Sequence, residues 1–176
     1  SAQWFPACRT QYVIIANTIS LYSVLMHGEG VTDNSVFLQR AMASLLDTLR
    51  SDGFGFIFER LIVPDAFKVF LSKSLNRSVT GSMSDLVYQA KCCFGRESIT
   101  PFELSFRLNR TPLSRPGHNC PREAFHMLTI SCLRRVHGQG SFPLENSSSH
   151  APPYSKFLWL SCSKSSRLRA ISRARW

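Results

Sequence analysis

Short apolar runs near the start of the chain predict a β-hairpin. Residues 12–16 and 21–26 are rich in β-branched and aromatic side chains, which favour strands, and Asn17 lies in the connection between them. Two later apolar runs, at residues 56–63 and 67–71, predict further strands. The pattern therefore predicts a sheet of about four strands.

Helical spacing of apolar residues predicts helices in the rest of the sequence. Asp33 and Thr100 are typical N-cap residues, and Thr100 forms a capping box with Glu103. The predicted helices begin near Asp33, Ser82, Thr100 and Pro121. Together these elements predict an α+β fold, in which a small mixed sheet is packed by three to four helices within a single domain at residues 1–135.

The positive charge is concentrated in the C-terminal part of the chain. The 176 residues carry a formal net charge of +10, and eight basic residues but one acid lie between Arg134 and Trp176. Residues 1–133 are therefore nearly balanced. Residues 136–176 are rich in Ser and Arg and lack helical or strand periodicity, so we expect a basic, irregular and poorly ordered tail.

Composition favours a cytoplasmic protein. The longest apolar run, residues 12–16, is far shorter than the roughly 20 residues of a membrane-spanning helix, so no membrane partner is expected. Six cysteines in a chain of this length do not resemble a disulfide scaffold. A reducing compartment is the simpler interpretation.

Four blocks of sequence, taken in order, resemble one bacterial domain family of unknown function. The blocks are residues 9–30, 75–91, 101–114 and 121–125. Within the second block, residues 76–85 read Asn-Arg-Ser-Val-Thr-Gly-Ser-Met-Ser-Asp. This signature block is similar to the family signature except that Ser84 replaces its usual Asn. The resemblance implies a shared fold and no particular reaction, and such genes suit mobile elements or gene cassettes. Family members begin with a further segment that is absent here. We therefore expect an edge strand to be missing, which would favour a homodimer.

The signature block is the candidate binding site. Its small polar residues predict a turn around Gly81 that leads into a helix at Ser82, with backbone amides facing outward to hold an anion or a partner. The candidate residues are Asn76, Arg77, Ser78, Thr80, Gly81, Ser82 and Asp85. The alternative is that the polar side chains only satisfy turn and cap hydrogen bonds. The block lacks the pattern of a nucleotide-binding loop, so ATP or GTP is not expected.

No other cluster of residues predicts catalysis, a metal or a cofactor. A zinc site would draw on His118, Cys120, His126 and Cys132, whose spacings match no standard zinc module. Cys8, Cys92 and Ser78 are available as nucleophiles, and His27 and His118 as bases, but no local motif joins them. We therefore expect no catalytic residues, no metal and no cofactor.

Three functions remain open on these observations. The first, which we favour, is a non-catalytic domain that binds a protein or nucleic-acid partner at the turn of residues 76–85 and the exposed side of its helix. The second is an enzyme or small-ligand-binding protein that acts on an anionic or phosphate-bearing molecule at the same turn. The third is a degenerate family copy without activity. The basic tail could attract nucleic acid, but the predicted body has no recognised nucleic-acid fold signature.

Overall fold

An antiparallel sheet lies at the centre of the protein. A computed structural model describes residues 1–64, 77–112 and 120–137. The described sheet contains β1 (Ala2–Ala7), β2 (Thr10–Ala16) and β3 (Ser23–His27), in sequence order. The described residues thus form an α+β fold with three strands, and the further strand predicted at residues 67–71 lies outside them.

The predicted hairpin is confirmed, and the structure adds a strand before it. Ser23 pairs with Ala16 across the hairpin formed by β2 and β3. The first strand, β1, was not predicted because Pro6 interrupts its short apolar run, and proline usually argues against a strand. Since β1 pairs with β2, the folded domain includes residues before the predicted hairpin.

The first helix, α1 (Asn34–Ser51), begins where its cap predicts. The carboxylate of Asp33 accepts hydrogen bonds from the amides of Ser35 and Val36 at 2.8 and 2.9 Å. At the other end the chain reverses through Gly53, whose φ of +84° is readily adopted by glycine. Both ends of α1 therefore follow from local sequence.

The strand predicted at residues 56–63 is wrong, because this segment is helical. It forms α2 (Gly55–Ile57), which continues as a π-helical turn (Phe58–Ile62). Its buried side chains are those of Ile57, Phe58, Leu61 and Ile62. This spacing is that of a helix, but apolar runs of three residues do not distinguish a helix from a strand.

Three further helices complete the described fold. They are α3 (Arg77–Arg96), α4 (Pro101–Arg110) and α5 (Pro121–His137). The capping box of Thr100 and Glu103 is present at the start of α4, as predicted. By contrast, α3 begins before the predicted Ser82. None of the described helices is long and apolar enough to cross a membrane.

Helices cover both faces of the sheet. On one face, Val13, Val24 and Met26 pack with the buried sides of α1, α2 and α5. On the other face, Tyr12, Ile14 and Leu25 pack with α3 and α4. The sheet is therefore a buried central layer between helices.

Candidate functional site

The predicted site lies on a helix rather than on a turn. Asn76 is outside the described residues, and Arg77 is the first residue of α3, with its side chain also outside them. The other candidates, Ser78, Thr80, Gly81, Ser82 and Asp85, lie within α3. The predicted bend around Gly81 is therefore wrong. The buried stripe of α3 already includes Val79, so the helical periodicity extends further back than the capping pattern suggested.

This correction removes the outward-facing amides that were predicted at Gly81. Within an α-helix each N–H donates to the carbonyl four residues earlier, so the amides from Gly81 onward are used inside α3. The hydroxyls also bond to the helix itself. Ser82 donates to the Ser78 carbonyl at 3.1 Å, and Ser84 donates to the Thr80 carbonyl at 3.0 Å. The signature block therefore has no outward row of amide donors at Gly81.

The exposed side of α3 instead presents an aromatic residue among small residues. We define the α3 face as Ser78, Gly81, Asp85 and Tyr88, which recur at helical spacing and are all exposed. The Tyr88 residue is 70% exposed. A Cβ added to Gly81 would meet no described atom within 4 Å, so the space outside the helix at Gly81 is open.

A second cluster of polar groups surrounds the carboxylate of Asp52. This side chain is only 2% exposed. One oxygen accepts a hydrogen bond from the Tyr22 hydroxyl at 2.9 Å, and the other accepts one from Nε of Arg122 at 2.9 Å. Nη2 of Arg110 lies 4.0 Å from the second oxygen. The buried carboxylate thus has a phenol and one guanidinium as direct partners, with a second guanidinium nearby.

The protonation of this cluster follows from its burial. Desolvation and the adjacent negative charge of Asp52 raise the pKa of Tyr22 well above its ordinary value of 10.0. The hydrogen bond to Asp52 raises the pKa of Arg122. Tyr22 is therefore a neutral donor and Arg122 a fixed cation. Both groups therefore donate hydrogen bonds to the Asp52 side chain.

Sequence reasoning missed the Asp52 cluster because its members are far apart in the chain. Tyr22 and Asp52 are separated by 30 positions, and Asp52 and Arg122 by 70. No motif joins residues at such distances. The available signal was weak: Asp52 directly precedes the glycine that ends α1, and Arg122 lies in one of the blocks that carry the family resemblance.

The candidate nucleophiles and bases are not brought together. The Cys8 thiol donates to the carbonyl of Phe94 at 3.2 Å, and the ring of His27 lies 5.2 Å from that of Tyr12. Ser78 and Cys92 lie on α3, whereas His118 falls outside the described residues. Within residues 1–64, 77–112 and 120–137, no group of three or more His, Cys, Asp or Glu side chains is placed to hold a metal ion.

An open groove lies between α1 and the start of α4. It has a volume of about 730 Å³, and its lining is mainly apolar. Met26, Pro101 and Phe102 contribute to its walls, with Asp47 and Ser44 along α1. None of the signature residues lines this groove. This groove therefore lies on a different part of the molecule from the described signature residues.

Comparison with known proteins identifies the family of this chain. A family model described as a domain of unknown function, DUF6933, matches residues 1–124. No curated protein and no solved structure matches at a significant level. The matched range includes the whole described sheet, the α3 face and both arginines of the Asp52 cluster. The chain therefore belongs to the DUF6933 family of domains of unknown function.

Proposed function

We propose that this protein is a non-catalytic binding domain whose partner is a protein that docks on the α3 face. The observation that carries the proposal is Tyr88, which is 70% exposed among the shorter side chains of the α3 face. Tyrosine is enriched among the residues that dominate binding energy at protein interfaces. A protruding ring about two helical turns from a glycine offers a partner both a side chain to enclose and a surface that its backbone can approach closely.

The glycine gives a second, energetic argument. Gly81 lies within α3, where glycine destabilises a helix by roughly 1 kcal/mol relative to alanine. No described atom fills the space that an alanine side chain would occupy. The described fold therefore gives no steric reason for glycine at this position. Close approach of a partner to the α3 face supplies such a reason.

Charge favours a protein over a nucleic acid as the partner. Among the four residues of the α3 face only Asp85 is charged, and its charge is negative. Nucleic-acid binding depends on Lys and Arg side chains that neutralise phosphates, and the α3 face itself contains none, although the exposed Lys91 follows Tyr88 by three positions. The amides used inside α3 from Gly81 onward disfavour the enzyme or small-anion alternative at this surface.

A photo-crosslinking experiment tests the proposal. We would place p-benzoylphenylalanine at position 88 and, as a control, at Met127, which is exposed on α5. In the cell of origin, position 88 should yield a discrete crosslinked protein, and position 127 should not. Adding Gly81→Trp should abolish the product, because the indole blocks close approach to the α3 face. A product of twice the chain mass would identify a second copy, which is the homodimer expected from sequence.

Two results would reject the proposal. One is the absence of a discrete product at position 88, which would favour a degenerate copy without activity. The other is a product that survives Gly81→Trp, because the partner would then contact a different surface. We also propose the setting expected from sequence. The protein is bacterial and cytoplasmic, it carries the family signature, and its gene lies on a mobile element. Identification of the crosslinked partner would test that setting.

The nucleic-acid alternative predicts a different outcome. Salt-sensitive DNA binding that disappears when residues 138–176 are removed would come from the basic tail alone. Binding retained by residues 1–137 would instead locate a nucleic-acid surface on the folded body. That result would contradict the choice of a protein partner.

A further inference from the structure

Two guanidinium groups from different helices meet at the Asp52 carboxylate. Arg110 is the last residue of α4, and Arg122 lies in the first turn of α5. Both approach the same carboxylate oxygen, at 4.0 Å for Arg110 and 2.9 Å for Arg122. Because they share this neighbour, one small anion beside Asp52 can contact both groups.

The hydrogen-bond donors of these arginines are only partly used. Arg122 donates to Asp52 through Nε and Nη2, which leaves Nη1 without a described partner. The 4.0 Å separation of Arg110 from Asp52 exceeds hydrogen-bond length. In the part of the chain that the structure describes, the Arg110 guanidinium therefore retains all of its N–H donors.

The cluster carries a surplus positive charge. One carboxylate faces two guanidinium groups, and Tyr22 adds no charge because its hydroxyl stays protonated. The guanidinium carbon of Arg122 lies 5.4 Å from the centre of the Phe54 ring, which stacks against the cation. The side chains of Arg110 and Arg122 are 68% and 41% exposed, so a solute can reach them.

We infer that Arg110 and Arg122 form a binding site for a small phosphate-type oxyanion. Guanidinium groups bind such anions through paired, charge-assisted hydrogen bonds. A tetrahedral phosphate has enough oxygens to accept from two guanidinium groups that approach from different helices. Asp52 holds Arg122 in place and does not contact the anion. This site is separate from the α3 face, so either can fail without the other.

Thermal unfolding of the full chain in inorganic phosphate tests this site. At constant ionic strength, added phosphate should raise the Tm once its concentration exceeds the Kd. Arg110→Gln should weaken phosphate binding by about tenfold or more, because it removes charge-assisted hydrogen bonds. The Arg110 side chain makes no hydrogen bond to the described residues, so this variant should fold normally. Arg96→Gln is the matched control, since it removes one exposed positive charge from the end of α3.

The outcomes separate a specific site from general charge. A rise in Tm that Arg110→Gln reduces and Arg96→Gln preserves supports the site. An equal loss in both variants would show that only net charge matters and would overturn it. A wild-type protein that shows no rise, or an equal rise in acetate at the same ionic strength, would also overturn the phosphate assignment.

Discussion

The side-chain amide of Asn109 pairs with the backbone of Ser23 as a neighbouring β-strand would. Oδ1 of Asn109 accepts from the Ser23 amide at 2.7 Å, and Nδ2 donates to the Ser23 carbonyl at 2.9 Å. One turn earlier in α4, the Ser105 hydroxyl accepts from the amide of Leu25 at 2.9 Å. A helix thereby satisfies the outer edge of β3, which would otherwise expose backbone groups suited to pairing with another chain.

Asn109→Ala should reduce the free energy of unfolding by about 2–4 kcal/mol. The change leaves a buried N–H and a buried C=O of Ser23 without partners, and each unsatisfied group costs about 1–3 kcal/mol. Urea unfolding would measure this loss as a lower midpoint at an unchanged slope. Ser84→Ala is the control, because its hydroxyl is exposed and bonds only within α3. Equal stability of the two variants would show that the Asn109 pairing contributes nothing.

Tyr22→Phe should change how stability depends on pH. The folded-state pKa of Tyr22 is raised above 10.0, so its neutral form stabilises the fold below pH 10. Above pH 10 the unfolded chain loses this proton first, and wild-type stability should fall by up to about 1.4 kcal/mol per pH unit. The variant lacks this decline, so the stability gap between the two proteins should narrow as the pH rises.

The exposed Tyr88 provides the control for that measurement. Tyr88→Phe removes a hydroxyl from a residue that is 70% exposed, so it controls for the loss of a tyrosine hydroxyl as such. Unfolding midpoints at pH 8 and at several values above pH 10 would compare all three proteins. A Tyr22→Phe gap that stays constant across this range would contradict the buried Tyr22–Asp52 hydrogen bond.

Arg9→Gly should stabilise the protein by about 1 kcal/mol. Cys8 and Arg9 connect β1 to β2 with φ angles of 45° and 64°, which is the geometry of a two-residue hairpin turn that favours glycine at its second position. The gain comes from relief of backbone strain at Arg9. Arg9→Ala removes the same charge but keeps Cβ, so it should give no gain. Equal thermal stability of the two variants would refute the strain argument.

Gly81→Ala should raise the stability of the isolated domain by about 0.5–1 kcal/mol, because alanine favours the helix. Gly53→Ala should lower stability by a similar amount, because Gly53 has a φ of +84°. At both glycines an added Cβ would meet no described atom within 4 Å. The two variants are therefore expected to differ in stability only because the backbone conformations of the two glycines differ. Denaturant unfolding of both variants checks the signs. A loss of stability in Gly81→Ala would contradict a helical Gly81.

Local patterns predicted the parts of the fold that local interactions determine. Asp33 begins α1 as expected, and the box of Thr100 and Glu103 begins α4. The strand assignment at residues 56–63 failed because short apolar runs fit two periodicities, and the buried layer above the sheet selected the helical one. At Ser82, the capping pattern was outweighed by an apolar stripe that already includes Val79.

The conformation of the candidate site was predicted wrongly, because it too was inferred from a short local pattern. The described candidate residues lie on α3, but a bend at Gly81 was inferred from a glycine that the helix tolerates. The contacts of Asn109 with Ser23 and of Arg122 with Asp52 depend on how helices are placed around the sheet. Such long-range contacts leave no periodic trace in a single sequence.

The central claim, that the α3 face binds a protein partner, is tested most directly by the affinity for the partner recovered by crosslinking. Titration calorimetry with purified proteins would compare the wild type with Tyr88→Ala and with Met127→Ala, which removes an exposed side chain on α5. We predict that Tyr88→Ala weakens the Kd by about 30-fold or more, corresponding to a loss of about 2 kcal/mol, and that Met127→Ala leaves it unchanged. A Tyr88→Ala variant that binds as tightly as the wild type would contradict the claim.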